Sequence, residues 1–234
     1  MNKYLFETFI FITTALAFFS PEAFAQKDES IIQKSSEIKS ISAIEQAVIN
    51  EINTVRTDPK KYIGYLEEYE KFLRGKIVYL PGTVPLETTE GSEAIKDAIK
   101  DLKKVSKLEP LNISYGLSKA ANLQLKDLMQ DLALGHTGKY GSTLTQRVAK
   151  FGRIGNRYAE NIAYQSDTAR DFVLTMIIDD GLKSRTHRKN ILSRNFKLIG
   201  VAFGKGKNDM GLCVVVFADI FTETTQKTTA RQIR

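Results

Sequence analysis

The segment KLIGVAFGKGKNDMGLCVVVFADI, residues 197–220, decides the fold. Its two halves, residues 197–203 and 212–220, are rich in β-branched and aromatic side chains, which favour strands. The segment between them, GKGKNDMG, is rich in glycine and carries an asparagine and an aspartate, as hairpin loops commonly do. The two halves are therefore predicted to pair as an antiparallel hairpin at the end of the chain.

Most of the chain before this hairpin has helical periodicity. Apolar residues recur at helical spacing from Ser42 onward, and Asp58 followed by Pro59 predicts the start of a second helix. Because helices come first and the best strands last, the expected fold is α+β or a layered αβα domain. Further helices are predicted over residues 92–105, 117–134 and 143–151, and from Ser166 or Asp167 to 179. A loop is predicted at 74–91, with a short strand at 77–80. The pattern of residues 158–164 is ambiguous between helix and strand.

The composition indicates a globular protein with a basic surface. Of 234 residues, 42% are apolar and 26% are charged, and the formal net charge is +7. Such a surface favours acidic partners, for example anionic polymers or lipid headgroups, although a solvated basic surface without a specific ligand fits equally well. Cys213 is the only cysteine, so no intramolecular disulfide can form, and its strand-like surroundings favour a small buried side chain.

The N-terminus is typical of a secretory signal peptide over residues 1–25. Lys3 precedes a mostly apolar run, Pro21 interrupts it, and residues 23–25 (AFA) fit a cleavage site before Gln26. An uncleaved N-terminal anchor is the alternative; once the signal is cleaved, no transmembrane segment is predicted. Residues 26–41 are predicted to be a flexible lead-in, 42–221 the folded domain and 222–234 a polar tail.

Several catalytic motifs are absent from the sequence. It contains no GxSxG, HExxH, Walker loop or paired CxxC motif. What remains is a small set of polar residues, namely the only two histidines, His136 and His187, together with Glu160. We expect these three side chains to meet in one cleft.

The order of these segments resembles the CAP superfamily, the SCP-like extracellular domain of cysteine-rich secretory, antigen 5 and pathogenesis-related 1 proteins. The matching segments are INTVR with Asn53 and Arg56, the helix that ends in LALGH, YAENIAY, SRTHRKNIL, FKLIGVAFG and CVVVFADIF. The resemblance covers about residues 43–220. The chain lacks the cysteines of the animal and plant members, so it is similar to the cysteine-poor bacterial type.

The resemblance implies a single-domain αβα sandwich with a central antiparallel sheet and an open cleft. In the family, two histidines and one or two acidic residues line this cleft, and His136, His187 and Glu160 occupy the matching positions. The family's second glutamate has no clean match here, and Asp179 or Asp180 could substitute for it.

Two imidazoles and a carboxylate could hold Zn²⁺ or another divalent cation weakly, with His136, His187 and Glu160 as ligands. Without a metal, the same trio could hold a proton between Glu160 and a histidine, or it could be a structural hydrogen-bond network. Catalytic roles are therefore open for all three residues. Arg185, Arg188 and Asp180 near His187 are candidate ligand-binding residues, since the arginines could contact an anionic group.

These observations favour an exported binding protein over an enzyme. The expected ligand is a lipid, a protein or an anionic surface polymer, with no specific nucleic acid, and the protein is expected to be monomeric and secreted, either extracellular or periplasmic. A metal-assisted peptidase or nuclease that uses the same cleft is the second hypothesis. A structural envelope protein is the third.

Overall fold

The computed structural model describes residues 40–131, 135–164, 166–206 and 209–224. The predicted signal peptide and most of the predicted lead-in lie outside these residues. The helices are α1 (Ala43–Thr57), α2 (Pro59–Glu70), α3 (Ser92–Lys104), α4 (Tyr115–Asp131), α5 (Leu144–Ala149), α6 (Ala169–Ile178) and α7 (Thr186–Ile191). The strands are β1 (Leu73–Arg74), β2 (Ile77–Val78), β3 (Leu86–Glu87), β4 (Asn112–Ile113), β5 (Gly152–Ile154), β6 (Tyr158–Tyr164), β7 (Leu198–Lys205), β8 (Gly211–Ala218) and β9 (Phe221–Glu223).

The predicted hairpin forms the centre of the main sheet. Strands β7 and β8 pair antiparallel from Leu198 opposite Ala218 to Lys205 opposite Gly211. The sheet has the order β4-β7-β8-β6, and β6 is also antiparallel to β8. The sheet predicted to be antiparallel contains one parallel pair, β4 with β7, because the chain returns to this edge after α4 to α7.

Helices cover both faces of this sheet. Alternate residues of β8 belong to two different apolar clusters, since side chains of a strand point to opposite faces. Cys213, Val215 and Phe217 pack with residues of α1, α2, α3, α6 and α7. Val214 and Val216 pack with residues of α4 and α5. The described residues from Ile41 onward therefore form a single α+β domain, the αβα sandwich predicted from the sequence.

Local capping explains where several helices begin. Ser42 and Glu45 form a reciprocal capping box at the start of α1. Asp58 caps α2, and Pro59 occupies its first position, as predicted. The start of α6 was predicted wrongly, because the hydroxyl of Thr168, and not Ser166 or Asp167, accepts from the third residue of that helix.

The structure corrects one predicted segment, assigns a second that the sequence left ambiguous, and contains a strand at the end of the domain that was not predicted. The segment predicted as a loop with one short strand contains three short strands, β1, β2 and β3, which form an antiparallel sheet in that order. The ambiguous segment 158–164 is a strand over its full length. Strand β9 pairs with β5 and continues through Glu223, beyond the predicted end of the domain.

Within the described residues, no helix combines the length and the apolar character that a bilayer span requires.

Helix α4 lies unusually close to the sheet at Gly200 of β7. A Cβ atom built on Gly200 would lie 2.2 Å from the backbone nitrogen of Ser118 and 2.3 Å from the backbone carbon of Leu117. Backbone atoms cannot rotate away as a side chain can, so the helix and the strand would have to separate. This position therefore requires glycine in order to hold α4 against the sheet.

We expect Gly200→Ala to destabilise the protein by about 1–3 kcal/mol, the usual cost of forcing extra atoms into a packed core. Gly64→Ala is the matched control, because Gly64 lies in α2 with nothing within 4 Å of its added Cβ. The control should be neutral or stabilising by up to about 1 kcal/mol, since alanine favours helix. Urea unfolding measures both changes, and equal stability of the two variants would contradict the close contact.

Candidate functional site at the edge of the main sheet

Strand β6 carries the residues around which the site is built. It pairs with β8 on one side, and no strand pairs with its other side in the described part of the chain. Glu160 and Ile162 point to the face covered by α4 and α5, where Ile162 joins the apolar cluster. Asn161 and Ala163 point to the opposite face, where Ala163 packs with α6. The two halves of the site therefore lie on different faces of one strand.

On the first face, Glu160 joins His136 to a buried arginine. The carboxylate Oε1 lies 3.0 Å from Nδ1 of His136, and Oε2 accepts from Nη2 of Arg147 at 2.7 Å. The side chains of Glu160 and Arg147 are 2% and 1% exposed, whereas that of His136 is 59% exposed. Since a carboxylate only accepts, Nδ1 of His136 carries the hydrogen, and Nε2 is the ring nitrogen that does not contact Glu160.

Arg147 and Gln124 also position the loop that carries His136. Arg147 donates through Nη1 to the carbonyl oxygens of His136, at 3.2 Å, and Ser142, at 2.9 Å. Gln124 of α4 donates to the carbonyl of Gly135 at 2.7 Å. Hydrogen bonds from two helices thus hold the backbone on both sides of the His136 peptide, which orients the imidazole toward Glu160.

On the other face, Asp179 orients His187. Its Oδ1 lies 2.8 Å from Nδ1 of His187, and its Oδ2 accepts from the backbone N–H of the same residue at 2.9 Å. Arg185, the residue before α7, makes no side-chain cap, so Asp179 supplies the acceptor at the start of this short helix. Asp179 has φ 56°, a left-handed conformation that aspartate tolerates better than most residues.

Asn161 holds α7 against β6 on the face of His187. Its Nδ2 donates to the carbonyl of His187 at 3.0 Å, and its Oδ1 accepts from Asn190 at 2.8 Å. The sequence prediction placed His136, Glu160 and His187 in one cleft. The structure brings Glu160 into contact with His136, and it attaches His187 to the neighbouring residue, Asn161, whose side chain points the other way.

The predicted metal ligands do not gather into one group in the described residues, where no set of three or more His, Cys, Asp or Glu side chains could hold a metal ion. Both oxygens of Glu160 are engaged by His136 and Arg147. The two imidazoles do fit one requirement of a metal site, since a carboxylate orients each ring through Nδ1. Glu160 therefore suits an orienting role better than direct coordination.

The three predicted ligand-binding residues are engaged by the protein itself. Asp180 accepts from the backbone N–H groups of Thr89, at 2.6 Å, and Glu90, at 2.8 Å. Arg185 forms a two-pronged pair with Glu90, at 2.7 Å for each oxygen. Arg188 is 1% exposed and donates to Asp97, Asp101 and the carbonyls at the end of α6, so it has no surface left for a ligand.

A cavity of about 570 Å³ opens beside His187. Its walls come from the end of β6, the end of α6, strand β3 and the turn after Asp179. Neither His136 nor Glu160 contributes to its lining. The apolar lining residues include Leu86, Ile162, Met176, Ile178 and Leu182, and the polar ones include Thr88, Ser166, Asp179 and His187.

Sequence reasoning missed Arg147 and Asn161 as parts of the site. Both are buried polar residues, with exposures of 1% and 0%. Arg147 lies in a segment predicted only as a short helix, and nothing in that pattern distinguishes a buried arginine from a solvated one. Asn161 is adjacent to Glu160, but only the identification of 158–164 as a strand shows that it points to the other face.

The pair of Arg185 and Glu90 should make the stability of this region depend on pH. Hydrogen bonding and charge attraction from Arg185 lower the pKa of Glu90 from 4.5 to about 2. Because the folded-state pKa is the lower one, the stabilisation is fully present above pH 4.5 and is lost as the pH falls toward 2. We expect Arg185→Gln to destabilise the protein above pH 4.5, and this difference from the wild type should shrink below it.

Urea unfolding of both proteins between about pH 2 and 7 measures this dependence. Lys183→Gln is the control, since it removes the same charge from an exposed position in the same turn. A difference between Arg185→Gln and wild type that stays constant over the whole range would contradict the ion pair.

Comparison with solved structures finds SCP-domain proteins at low similarity. An outer surface protein of Borrelia burgdorferi is 24% identical over 54% of this chain and 86% of its own, with a TM-score of 0.40. An extracellular protein of Bacillus anthracis that contains an SCP domain is 19% identical over 54% and 38%, with a TM-score of 0.36. The structure of NaASP2 with Zn²⁺ is 13% identical over 76% and 81%, with a TM-score of 0.39.

These likenesses are too distant to carry an argument about function. No curated protein matches the chain significantly. The sequence profile of the cysteine-rich secretory protein family, CAP, matches residues 49–217, which include β6, both histidines and all but the last residue of the central hairpin. The chain therefore belongs to the CAP family of cysteine-rich secretory proteins.

Proposed function

We propose that this chain is an exported binding protein that captures a small amphipathic molecule in the cavity beside His187. The cavity of about 570 Å³ carries the proposal, because ligand pockets of this size are typically apolar with a few fixed polar groups. The signal-like N-terminus and membership of the CAP family support export.

The lining suggests how such a ligand would lie. Leu86 and Leu182 are 41% and 38% exposed at the cavity, which leaves apolar surface in contact with water until a ligand covers it. His187, oriented by Asp179, presents its second ring nitrogen to a polar head. A neutral ring accepts a hydrogen bond there from a hydroxyl, and a protonated ring donates one to a carboxylate. An apolar tail with a hydroxyl or carboxyl head therefore matches the cavity.

We expect the double variant Leu86→Gln/Leu182→Gln to bind fatty acids or sterols about tenfold more weakly, since it removes apolar contact area from the cavity. The matched control is Val84→Gln/Ile220→Gln, which changes two residues that are 86% and 63% exposed and lie outside the cavity lining. Equilibrium binding of labelled fatty acids and sterols measures both. Failure of the wild type to bind across the panel would refute an amphipathic ligand, and an equal loss in the control would refute this cavity as its site.

A weakly bound divalent cation is a second proposal for the same region. Its support is the orientation of both imidazoles through Nδ1 by Glu160 and Asp179, an arrangement common around metal-ligating histidines. His136 and His187 would be the protein ligands, with Glu160 behind His136, and the ion would supply a polarising charge in the cleft.

Calorimetry with Zn²⁺ tests this second proposal. We expect weak binding by the wild type and a loss of about tenfold or more in affinity for His136→Ala and for His187→Ala. The His136→Ala variant should retain fatty-acid binding, since His136 does not line the cavity, and this separates the metal from the amphiphile. Equal zinc affinity in all three proteins would eliminate the metal.

A further inference from the structure

We propose that the chain carries a second binding site, for a phosphate-type oxyanion, at the C-terminal end of α1, in a pocket that shares no lining residue with the His187 cavity. The site is a small pocket lined by Arg56, Lys107, Leu108, Glu109, Arg194 and Lys197. Four of these side chains are cationic and one is acidic. None of the functions considered above uses this pocket.

Arg56 is the centre of the proposed site. It is 1% exposed, and the protein holds its guanidinium by backbone carbonyls alone. Nε donates to the carbonyl of Glu109 at 2.9 Å, and Nη1 donates to those of Ile191, at 2.7 Å, and Ser193, at 2.8 Å. Its Nη2 has no hydrogen-bond partner among the described residues, and Arg56 forms part of the pocket wall.

Arg56 differs from Arg147 and Arg188, the other buried arginines of the described residues, in its counter-ions. Arg147 pairs with Glu160, and Arg188 pairs with Asp97 and Asp101. Within the described residues, no carboxylate forms an ion pair with Arg56. A buried charge without a counter-ion is costly, because carbonyl dipoles replace only part of the lost hydration. Burial accordingly lowers the pKa of Arg56, although an arginine stays protonated at neutral pH.

The rim of the pocket adds positive charge around this centre. Lys107, Arg194 and Lys197 are all exposed, and Arg194 is held by a hydrogen bond to the hydroxyl of Ser106. No carboxylate forms an ion pair with Lys107 or Lys197 in the described part of the chain. A planar guanidinium that offers a donor, surrounded by ammonium groups, is the arrangement that recognises phosphate oxygens.

The volume of the pocket limits the ligand to a small group. At about 170 Å³, it has room for a tetrahedral oxyanion with a few waters, given about 30 Å³ for each water. The ligand is therefore a phosphate, either the free ion or the terminal phosphate of a lipid headgroup. The net charge of +7 would attract either form.

The test compares two double variants of the full chain that lose the same charge. Lys107→Gln/Lys197→Gln removes two rim cations and leaves the buried Arg56 in place, so the fold should survive, which circular dichroism checks. Lys126→Gln/Lys150→Gln is the matched control, with both lysines exposed on or just after the helices of the opposite layer. The probes are inorganic phosphate by calorimetry, and vesicles with and without phosphatidic acid by sedimentation.

We expect the wild type and the control to bind phosphate with similar affinity, and the rim variant to bind at least about tenfold more weakly. Binding only to phosphatidic acid vesicles, with the same dependence on the rim lysines, would support the site with a headgroup as its source. Equal binding of the probes by all three proteins, or no binding of either probe by the wild type, would overturn the proposal.

Discussion

The alternation of side chains along β6 determines the arrangement of the candidate site. Consecutive residues of a strand point to opposite faces, so Glu160 and Asn161 cannot serve the same side of the sheet. Glu160 holds His136 and Arg147 on the side of α4 and α5, while Asn161 holds the backbone of His187 on the side of α6 and α7. In the described residues β6 is an edge strand of the sheet, with β8 as its only strand neighbour. Both sets of contacts can therefore form around its open edge.

Buried arginines provide much of the rigidity around this edge. Arg147 ties the His136 loop to Glu160, and Arg188 ties α7 to the end of α6 and to α3. Arg147 donates to two backbone carbonyls of the His136 loop, and Arg188 donates to two at the end of α6. Backbone carbonyls that are buried at loops and helix ends need such donors. Arg56 does the same for the end of α7 but lacks a carboxylate partner in the described residues. That difference separates a purely structural arginine from one that can also receive an anion.

The two histidines therefore have different surroundings although the sequence presents them as a pair. His136 is more than half exposed and lies outside the lining of the cavity, whereas His187 is partly buried and forms part of its wall. A ligand in the cavity would contact His187 directly, whereas His136 does not line the cavity. This asymmetry makes His187 the histidine that a ligand in the cavity would meet.

The sequence by itself determined the elements with strong local signals. The hairpin of β7 and β8, the helices capped by Ser42 and Asp58, and the layered α+β class follow from side-chain periodicity and capping chemistry, which act between near neighbours. The scarcity of histidine and the family resemblance together identified His136, Glu160 and His187 as residues of interest. Only the tertiary structure decided which of them touch, since Glu160 meets a buried arginine from α5 and His187 meets Asp179. Such contacts depend on which face of β6 each side chain occupies, and on how α4 packs at Gly200, and neither is encoded in any short stretch of the chain.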